Sequence, residues 1–113
     1  MGTFVRGQVV VLPFPFSDLT TRVRRPALVL ADVGEPYHEL ILCMISAKPS
    51  ELSIPITESD FETGKLTEPT SYVRHWRLFT AEPTLVRKSV GILKSSKTKE
   101  ILDHVRRNLG LDD

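Results

Sequence analysis

Proline and glycine residues divide this sequence into short apolar segments, and that division limits the folds that the chain can form. Eight prolines and six glycines are spread over 113 residues. The apolar run Val9–Leu12 stops at Pro13 and Pro15, and similar runs cover Pro26–Ala31 and Leu40–Ser46. Runs of this length, bounded by turn-forming residues, are typical of buried β-strands. The first half of the sequence therefore predicts three strands.

The second half contains weaker strand candidates. They are Leu52–Ile56, Ser71–Val73, Leu78–Thr80 and Thr84–Leu93, the last of which is bent near Gly91. Glu58–Phe61 is predicted as a single helical turn that Gly64 closes.

The period of the apolar residues changes near the C-terminus. From Ser96 onward they follow the stripe of one helix face, with Ile101, Leu102, Val105 and Leu109. Ser96 is suited to cap the start, and Gly110 is suited to end the helix. The sequence thus predicts a helix over about 96–109.

Five to seven short strands and one terminal helix predict a mainly β fold, α+β by count. We expect a small, curled antiparallel sheet or β-barrel with the helix packed against it. The length fits a single domain, residues 1–113, with one hydrophobic core. The lone cysteine, Cys43, lies in an apolar run, which indicates a buried structural thiol and a reducing compartment.

Targeting and charge narrow the class of protein further. Residues 1–6 contain no apolar stretch that could serve as a signal peptide, and no window is long enough to span a membrane. We therefore expect a cytoplasmic protein. The net charge is only +1, but Arg22, Arg24 and Arg25 form a local basic cluster. A basic loop is predicted rather than a basic protein.

Common catalytic signatures are missing. The sequence has no phosphate-binding glycine-rich loop, no Cys or His pair at metal-ligand spacing and no Gly-x-Ser-x-Gly motif. We expect neither a metal nor a cofactor. His75 lies between Arg74 and Trp76 and could move a proton near neutral pH, although an exposed histidine without a role is the more common case. His38 and His104 carry no catalytic signal, and His104 is expected on the flank of the helix.

The strongest local feature is Arg24–Leu30, where two arginines and a proline begin a strand. Arginine is a poor base because it stays protonated, but it is suited to bind a phosphate or to stabilise charge that develops on one. The alternative is a solvated charge at a strand edge.

The same residues resemble the MazF/PemK family of toxins from type II toxin–antitoxin systems, and in particular its PemK-like branch. The matching segments occur in the family's order along nearly the whole chain, and they are Gly7–Asp18, Arg24–Leu30, Ser59–Phe61 with Gly64 and Leu66, Ser71–Arg74, Leu78–Thr80 and Gly91–Leu93. The resemblance implies an SH3-like antiparallel barrel with a C-terminal helix. It also implies a homodimer that cuts single-stranded RNA in a sequence-selective way. A cognate antitoxin is implied as its inhibitor.

Site residues are carried over from the family by position. The family's catalytic arginine corresponds to Arg25, and its catalytic Thr or Ser corresponds to Ser46, which alone could equally be a turn-capping hydroxyl. Such an enzyme needs no metal, because the 2′-hydroxyl of the RNA attacks the phosphate and leaves a 2′,3′-cyclic phosphate and a 5′-hydroxyl. Residues expected to contact RNA through charge or stacking are Arg22, Arg24, Tyr72, Arg74, His75, Trp76 and Arg77.

Other residues are expected to support the predicted site rather than to take part in the reaction. Gln8 and Asp18 are expected to support the site, and the loop from Ser17 to Val23 is expected to cover the RNA and to help select its sequence. The chain departs from the family at Gln8, because the family usually has an acid there. Phe14 and Phe16 are expected to anchor the corner after the first strand.

Two other functions remain open at this point. The related CcdB-like gyrase poisons act by binding and use a terminal Trp-Gly-Ile motif, whereas this chain ends in Asn108–Asp113 without a tryptophan. A catalytically silent barrel that only binds partners is the other alternative, and Gln8 keeps it open.

Overall fold

The computed structural model describes residues 4–14 and 23–111, which form a strongly curved antiparallel sheet and one helix. The strands are β1 (Gln8–Pro13), β2 (Arg24–Asp32), β3 (Leu40–Ser46), β4 (Ile54–Thr57), β5 (Phe61–Gly64), β6 (Thr70–Ala81) and β7 (Lys88–Leu93), and the helix is α1 (Ser95–Asn108). Their order across the sheet is β4-β6-β3-β2-β1-β7-β5. The nearly closed barrel with a C-terminal helix confirms the predicted fold class.

Both faces of the central strands are buried, which explains why their sequences are continuous apolar runs rather than alternating ones. One face fills the barrel interior beneath α1, with Val9, Leu28, Cys43, Ile45, Val73 and Ile101 among its residues. The other face carries a second cluster that includes Leu12, Phe14, Ala27, Val29, Leu42 and Phe79. Cys43 is fully buried, and burial raises the pKa of its thiol to about 12, so the predicted structural role is confirmed.

The helix α1 packs against the barrel through Thr98, Ile101 and Val105, which are buried. It begins one residue earlier than predicted, with Lys94 rather than Ser96 at the N-cap position. The prediction that Leu109 continues the buried stripe is wrong, because the helix ends at Asn108 and Leu109 is 59% exposed. Gly110 adopts a positive φ of 76°, the backbone conformation that ends many helices.

The second half of the chain differs from the sequence prediction in its strand boundaries. Ser71–Val73 and Leu78–Thr80 are parts of one strand, β6, whose interior residues His75–Arg77 have no partner on β3, because Cys43 pairs with Leu78 whereas Met44 pairs with Arg74. A bulge of this size bends a strand without ending it.

The start of the last strand was also predicted wrongly, and one strand was missed. The segment predicted as a strand from Thr84 begins instead with a 3₁₀ turn at Pro83–Leu85, and β7 starts only at Lys88. The predicted helical turn is confirmed as a 3₁₀ turn at Glu58–Asp60, but the short strand β5 directly after it was not predicted.

The edge strand β5 approaches β7 unusually closely at two glycines. Gly64 lies opposite Gly91 and has a φ of 83°. A Cβ atom on Gly64 would collide with the Val90 carbonyl and lie 2.6 Å from the Gly91 Cα. Only glycine fits there, and the close contact fixes the start of the following segment, residues 65–69. Among the described residues, no helix is long and apolar enough to cross a membrane.

Candidate active site at the mouth of the barrel

Arg25 lies at the beginning of β2, opposite Leu12 of β1. Pro26 follows it and restricts the backbone of Arg25 to extended conformations. The side chain is exposed, and its guanidinium carbon lies 5.8 Å from the centre of the Phe14 ring. Within the described ranges no carboxylate forms an ion pair with Arg25. The guanidinium is therefore held beside an aromatic ring with its donors available.

Ser46 ends β3 and is partly buried. Its Oγ accepts a hydrogen bond of 3.0 Å from the backbone N–H of Lys48. A hydroxyl that accepts in this way can still donate its own proton to a second group. The turn-capping role and a role in a site are thus compatible, and the cap holds the oxygen in place.

The strand register brings Arg25 and Ser46 to one row of the sheet. Ala27 pairs with Met44, so extending the same register by two residues on each strand places Arg25 opposite Ser46. Directly opposite residues of antiparallel strands project to the same face. Arg25 and Ser46 therefore share a face of the sheet.

Strand β6 adds two predicted residues to that face. Tyr72 lies opposite Ser46, and Arg74 lies opposite Met44, one row further along. We call Arg25, Ser46, Tyr72 and Arg74 the cross-strand group. The Nε atom of Arg74 is buried and has no hydrogen-bond partner among the residues that the structure describes. A partly buried guanidinium with an unused donor is suited to receive an anion.

Arg25 and Ser46 also line a cavity of about 410 Å³ at this end of the barrel, which we call the mouth cavity. Its walls come from the start of β2, the end of β3, the segment before β6 and the start of β7, and its lining residues are Val11, Val23, Arg24, Arg25, Pro26, Ile45, Ser46, Ala47, Lys65, Leu66, Thr67, Glu68, Ser71, Lys88 and Val90. Four lining residues are cationic and one is acidic, so the cavity favours anions.

Comparison with known proteins assigns the family. The family model described as "PemK-like, MazF-like toxin of type II toxin-antitoxin system" matches residues 5–109. The chain belongs to this toxin family. The resemblance identified from the sequence is thereby confirmed, and a cognate antitoxin is the partner that defines such a system.

Solved structures share the fold of this toxin at low sequence identity. One is a mycobacterial endoribonuclease in complex with its cognate antitoxin, which is 16% identical with a TM-score of 0.74, covering 98% of this chain and 99% of that one. Another mycobacterial endoribonuclease is 18% identical with a TM-score of 0.73, covering 100% and 97%. The Mycobacterium tuberculosis toxin MazF-mt6 is 15% identical with a TM-score of 0.69, covering 94% and 99%. A comparison with curated proteins finds no significant match.

His75 of the toxin is buried and does not line the mouth cavity. It is 4% exposed, and its Nε2 donates to the Leu52 carbonyl at 2.9 Å. Its Nδ1 accepts from the side-chain amide of Asn108 at 2.7 Å, and the His104 ring centre lies 4.8 Å away. Burial lowers the pKa of His75, an effect that nearby His104 increases and the hydrogen bond to Leu52 opposes. The imidazole connects β6 to α1 through its hydrogen bond with Asn108.

Trp76 and Arg77 lie in the same bulge and do not line the mouth cavity. Trp76 is 37% exposed and packs edge-on against His75, with ring centres 5.1 Å apart. Arg77 is exposed. Tyr72 and Arg74 of the cross-strand group do not line the mouth cavity either.

Gln8 has local partners and does not line the mouth cavity. Its Oε1 accepts from the Val5 N–H at 3.1 Å, and its Nε2 donates to the Ser89 hydroxyl at 2.9 Å. The residue of β1 opposite Arg25 is Leu12, four positions further on. The position of Gln8 therefore does not support the expectation that it acts directly on Arg25.

Several predicted residues lie outside the described part of the chain. They are Arg22, Asp18, Phe16 and most of the loop from Ser17 to Val23. Phe14, by contrast, is described, and its edge-on contact with Phe79 at 5.4 Å confirms that it anchors the corner.

Lys65, Glu68, Ser71 and Lys88 line the mouth cavity but were not predicted as site residues. They come from connections and strand ends far apart in sequence, and no motif links them. Lys65 is the one lysine in the acidic stretch from Glu51 to Glu68, and this was the one signal that could have drawn attention to it.

Proposed function

We propose that this toxin is a metal-independent, sequence-selective endoribonuclease that cuts single-stranded RNA at the mouth cavity. The observation that carries the proposal is the shared cavity. Arg25 and Ser46 line it together, and neither is sealed inside the core. The named activity of the mycobacterial structural neighbours supports the same conclusion.

The reaction uses the ribose of the substrate as its nucleophile. The 2′-oxygen forms a bond to the adjacent phosphorus while the bond from phosphorus to the 5′-oxygen breaks, and a 2′,3′-cyclic phosphate and a 5′-hydroxyl result. The 2′-hydroxyl proton passes to water, and water returns a proton to the departing 5′-oxygen. Negative charge accumulates on the phosphoryl oxygens meanwhile, and this charge is what the protein must stabilise.

Arg25 and Ser46 are placed to provide that stabilisation. The guanidinium of Arg25 presents a fork of donors that matches two phosphoryl oxygens. The Ser46 hydroxyl, held by the Lys48 N–H, donates one more hydrogen bond. Donors fixed before the reaction stabilise a transition state without reorganising during it.

Cationic side chains around the cavity hold the flanking RNA. Arg24, Lys65 and Lys88 line the cavity and attract neighbouring phosphates, and Arg74 provides another guanidinium beside Ser46. Tyr72 offers an aromatic surface on which an unpaired base can stack. Binding of this kind weakens as salt concentration rises.

The finer assembly also belongs to this proposal. The toxin acts in the cytoplasm as a homodimer, and its cognate antitoxin covers the RNA site. The neighbouring structure of a mycobacterial endoribonuclease in complex with its cognate antitoxin supports inhibition by a partner protein.

The test is incubation of antitoxin-free toxin with a long RNA in EDTA, followed by mapping of the product ends. We expect internal cleavage with 5′-hydroxyl ends at a limited set of sequences, and addition of the antitoxin should stop it. Intact RNA from a correctly folded protein would refute the proposal and favour a binding-only toxin. Cleavage that EDTA abolishes would refute the metal-independent mechanism.

A further inference from the structure

The acidic side chain in the mouth cavity has no role in holding phosphate. Arg24, Arg25, Lys65 and Lys88 give the cavity its positive charge, and Glu68 reduces it. Glu68 is exposed and forms no ion pair within the described ranges, although it lines the same cavity as these cations. A carboxylate in such a place repels the RNA backbone, so its useful partner is a group that donates hydrogen bonds.

The backbone on both sides of Glu68 is restrained. Glu68 belongs to the segment 65–69 that joins β5 to β6. At one end of this segment the Lys65 N–H donates to the Val90 carbonyl at 3.2 Å. At the other end Pro69 follows Glu68 directly and restricts its backbone to extended conformations. A restrained backbone limits the positions that the Glu68 side chain can reach, and this favours selection between ligands.

The inner part of the mouth cavity is suited to the flat face and edge of a nucleobase. Ile45, Leu66 and Val90 supply apolar surface. Ser71 lies opposite Ile56, is only 4% exposed and also lines the cavity. Its hydroxyl has no hydrogen-bond partner among the described residues. The cavity volume of about 410 Å³ falls within the range of small-ligand sites.

We propose that the mouth cavity binds a guanine next to the cleaved phosphate and that Glu68 selects it. This inference rests on the proposed ribonuclease function. A carboxylate only accepts hydrogen bonds, and guanine presents two adjacent donors, N1–H and the 2-amino group, on its Watson–Crick edge. The neighbouring O6 atom accepts from the Ser71 hydroxyl. Adenine, cytosine and uracil each place an acceptor in this edge where the carboxylate requires a donor.

Sequencing of 5′-hydroxyl ends from a randomised RNA library tests the inference. We expect guanine at one fixed position beside the cut for the unaltered toxin. Glu68→Gln should lose this preference on the order of 5- to 150-fold, the effect of one paired hydrogen-bond contact to a base. The matched control is Glu58→Gln, because Glu58 is also exposed but does not line the mouth cavity; it lines a neighbouring cavity that Glu68 borders as well. It should leave the sequence preference unchanged.

Replacing the selected guanine with inosine, which lacks the 2-amino group, provides a second measurement. It should slow the unaltered toxin and have little further effect on Glu68→Gln. Cleavage without a guanine preference, or a preference that Glu68→Gln retains, would overturn this inference but not the proposed ribonuclease function. So would an equal loss of rate by Glu68→Gln at every sequence, since that would assign Glu68 to the chemical step. An uncut library would refute the proposed ribonuclease function as well.

Discussion

Replacing Arg25 with alanine tests the proposed mechanism most directly. The substitution removes the fork of donors from the phosphoryl oxygens, and loss of one such preorganised contact lowers the rate of comparable enzymes by about 10²- to 10³-fold. Arg25→Lys should recover only part of that loss, because lysine keeps the charge but not the planar pair of donors.

The same substitution should hardly affect folding. Arg25 is exposed, and the contact that it makes within the described residues is with the Phe14 ring at 5.8 Å. An exposed contact between a cation and an aromatic ring contributes about 0.5–1 kcal/mol. The free energy of unfolding should therefore fall by no more than about 1 kcal/mol, far less than the loss of transition-state stabilisation.

Initial cleavage rates of an end-labelled RNA in EDTA measure the loss of catalysis. Urea unfolding followed by the fluorescence of Trp76 measures the change in the free energy of unfolding. Trp76 is the one tryptophan of the sequence. Arg107→Ala is the matched control, since Arg107 is an exposed arginine in the last turn of α1. A rate for Arg25→Ala within about threefold of the control would refute the assignment of Arg25.

Three further predictions concern other parts of the molecule. Ser46→Ala should slow cleavage about tenfold, whereas Ser46→Thr should preserve it, because one hydrogen bond to a charged group contributes about 1.5 kcal/mol; unchanged kinetics for Ser46→Ala would leave only the turn cap. Gly64→Ala should lower the free energy of unfolding by about 2 kcal/mol or more in urea, since the added carbon collides with the Val90 carbonyl; an unchanged midpoint would contradict the close approach. The lowered pKa of buried His75 means that the unfolded chain binds its proton more readily, so this stabilisation is present above about pH 6.5 and lost as the pH falls below it. Urea unfolding at several pH values should show this dependence in the unaltered toxin and a weaker one in His75→Gln, and equal slopes would refute it.

The elements predicted correctly from the sequence are those whose signal is local. β3 was predicted with its observed boundaries, Leu40–Ser46, because both of its faces are buried and every residue up to the turn is apolar or small. The helix was predicted from a single stripe, and its error at Leu109 arose where the backbone ends the helix before the apolar pattern ends. The local apolar pattern thus predicts whether a segment forms a strand or a helix, whereas the fold around it determines the residue at which that element ends.

In the candidate site, too, residues with a local sequence signal could be predicted and residues that depend on distant contacts could not. Arg25 was identified because a proline and an apolar strand follow it directly, so the signal lies within a few residues. The environment of His75 could not be predicted, because Asn108, the partner of its Nδ1, is 33 residues away. His75 and Arg74 are neighbours in the sequence, but the fold buries His75, whereas Arg74 belongs to the cross-strand group.

The buried histidine also connects α1 to the geometry of the candidate site. If the pairing of Cys43 with Leu78 continued without interruption, Arg77 would lie opposite Met44 and His75 opposite Ser46. The bulge at His75–Arg77 shifts the register by three residues and places Arg74 and Tyr72 there instead. His75 holds the bulge through its hydrogen bonds to Leu52 and Asn108. The contact between β6 and the end of α1 thus helps to fix which side chains stand beside Ser46, although His75 itself does not line the mouth cavity.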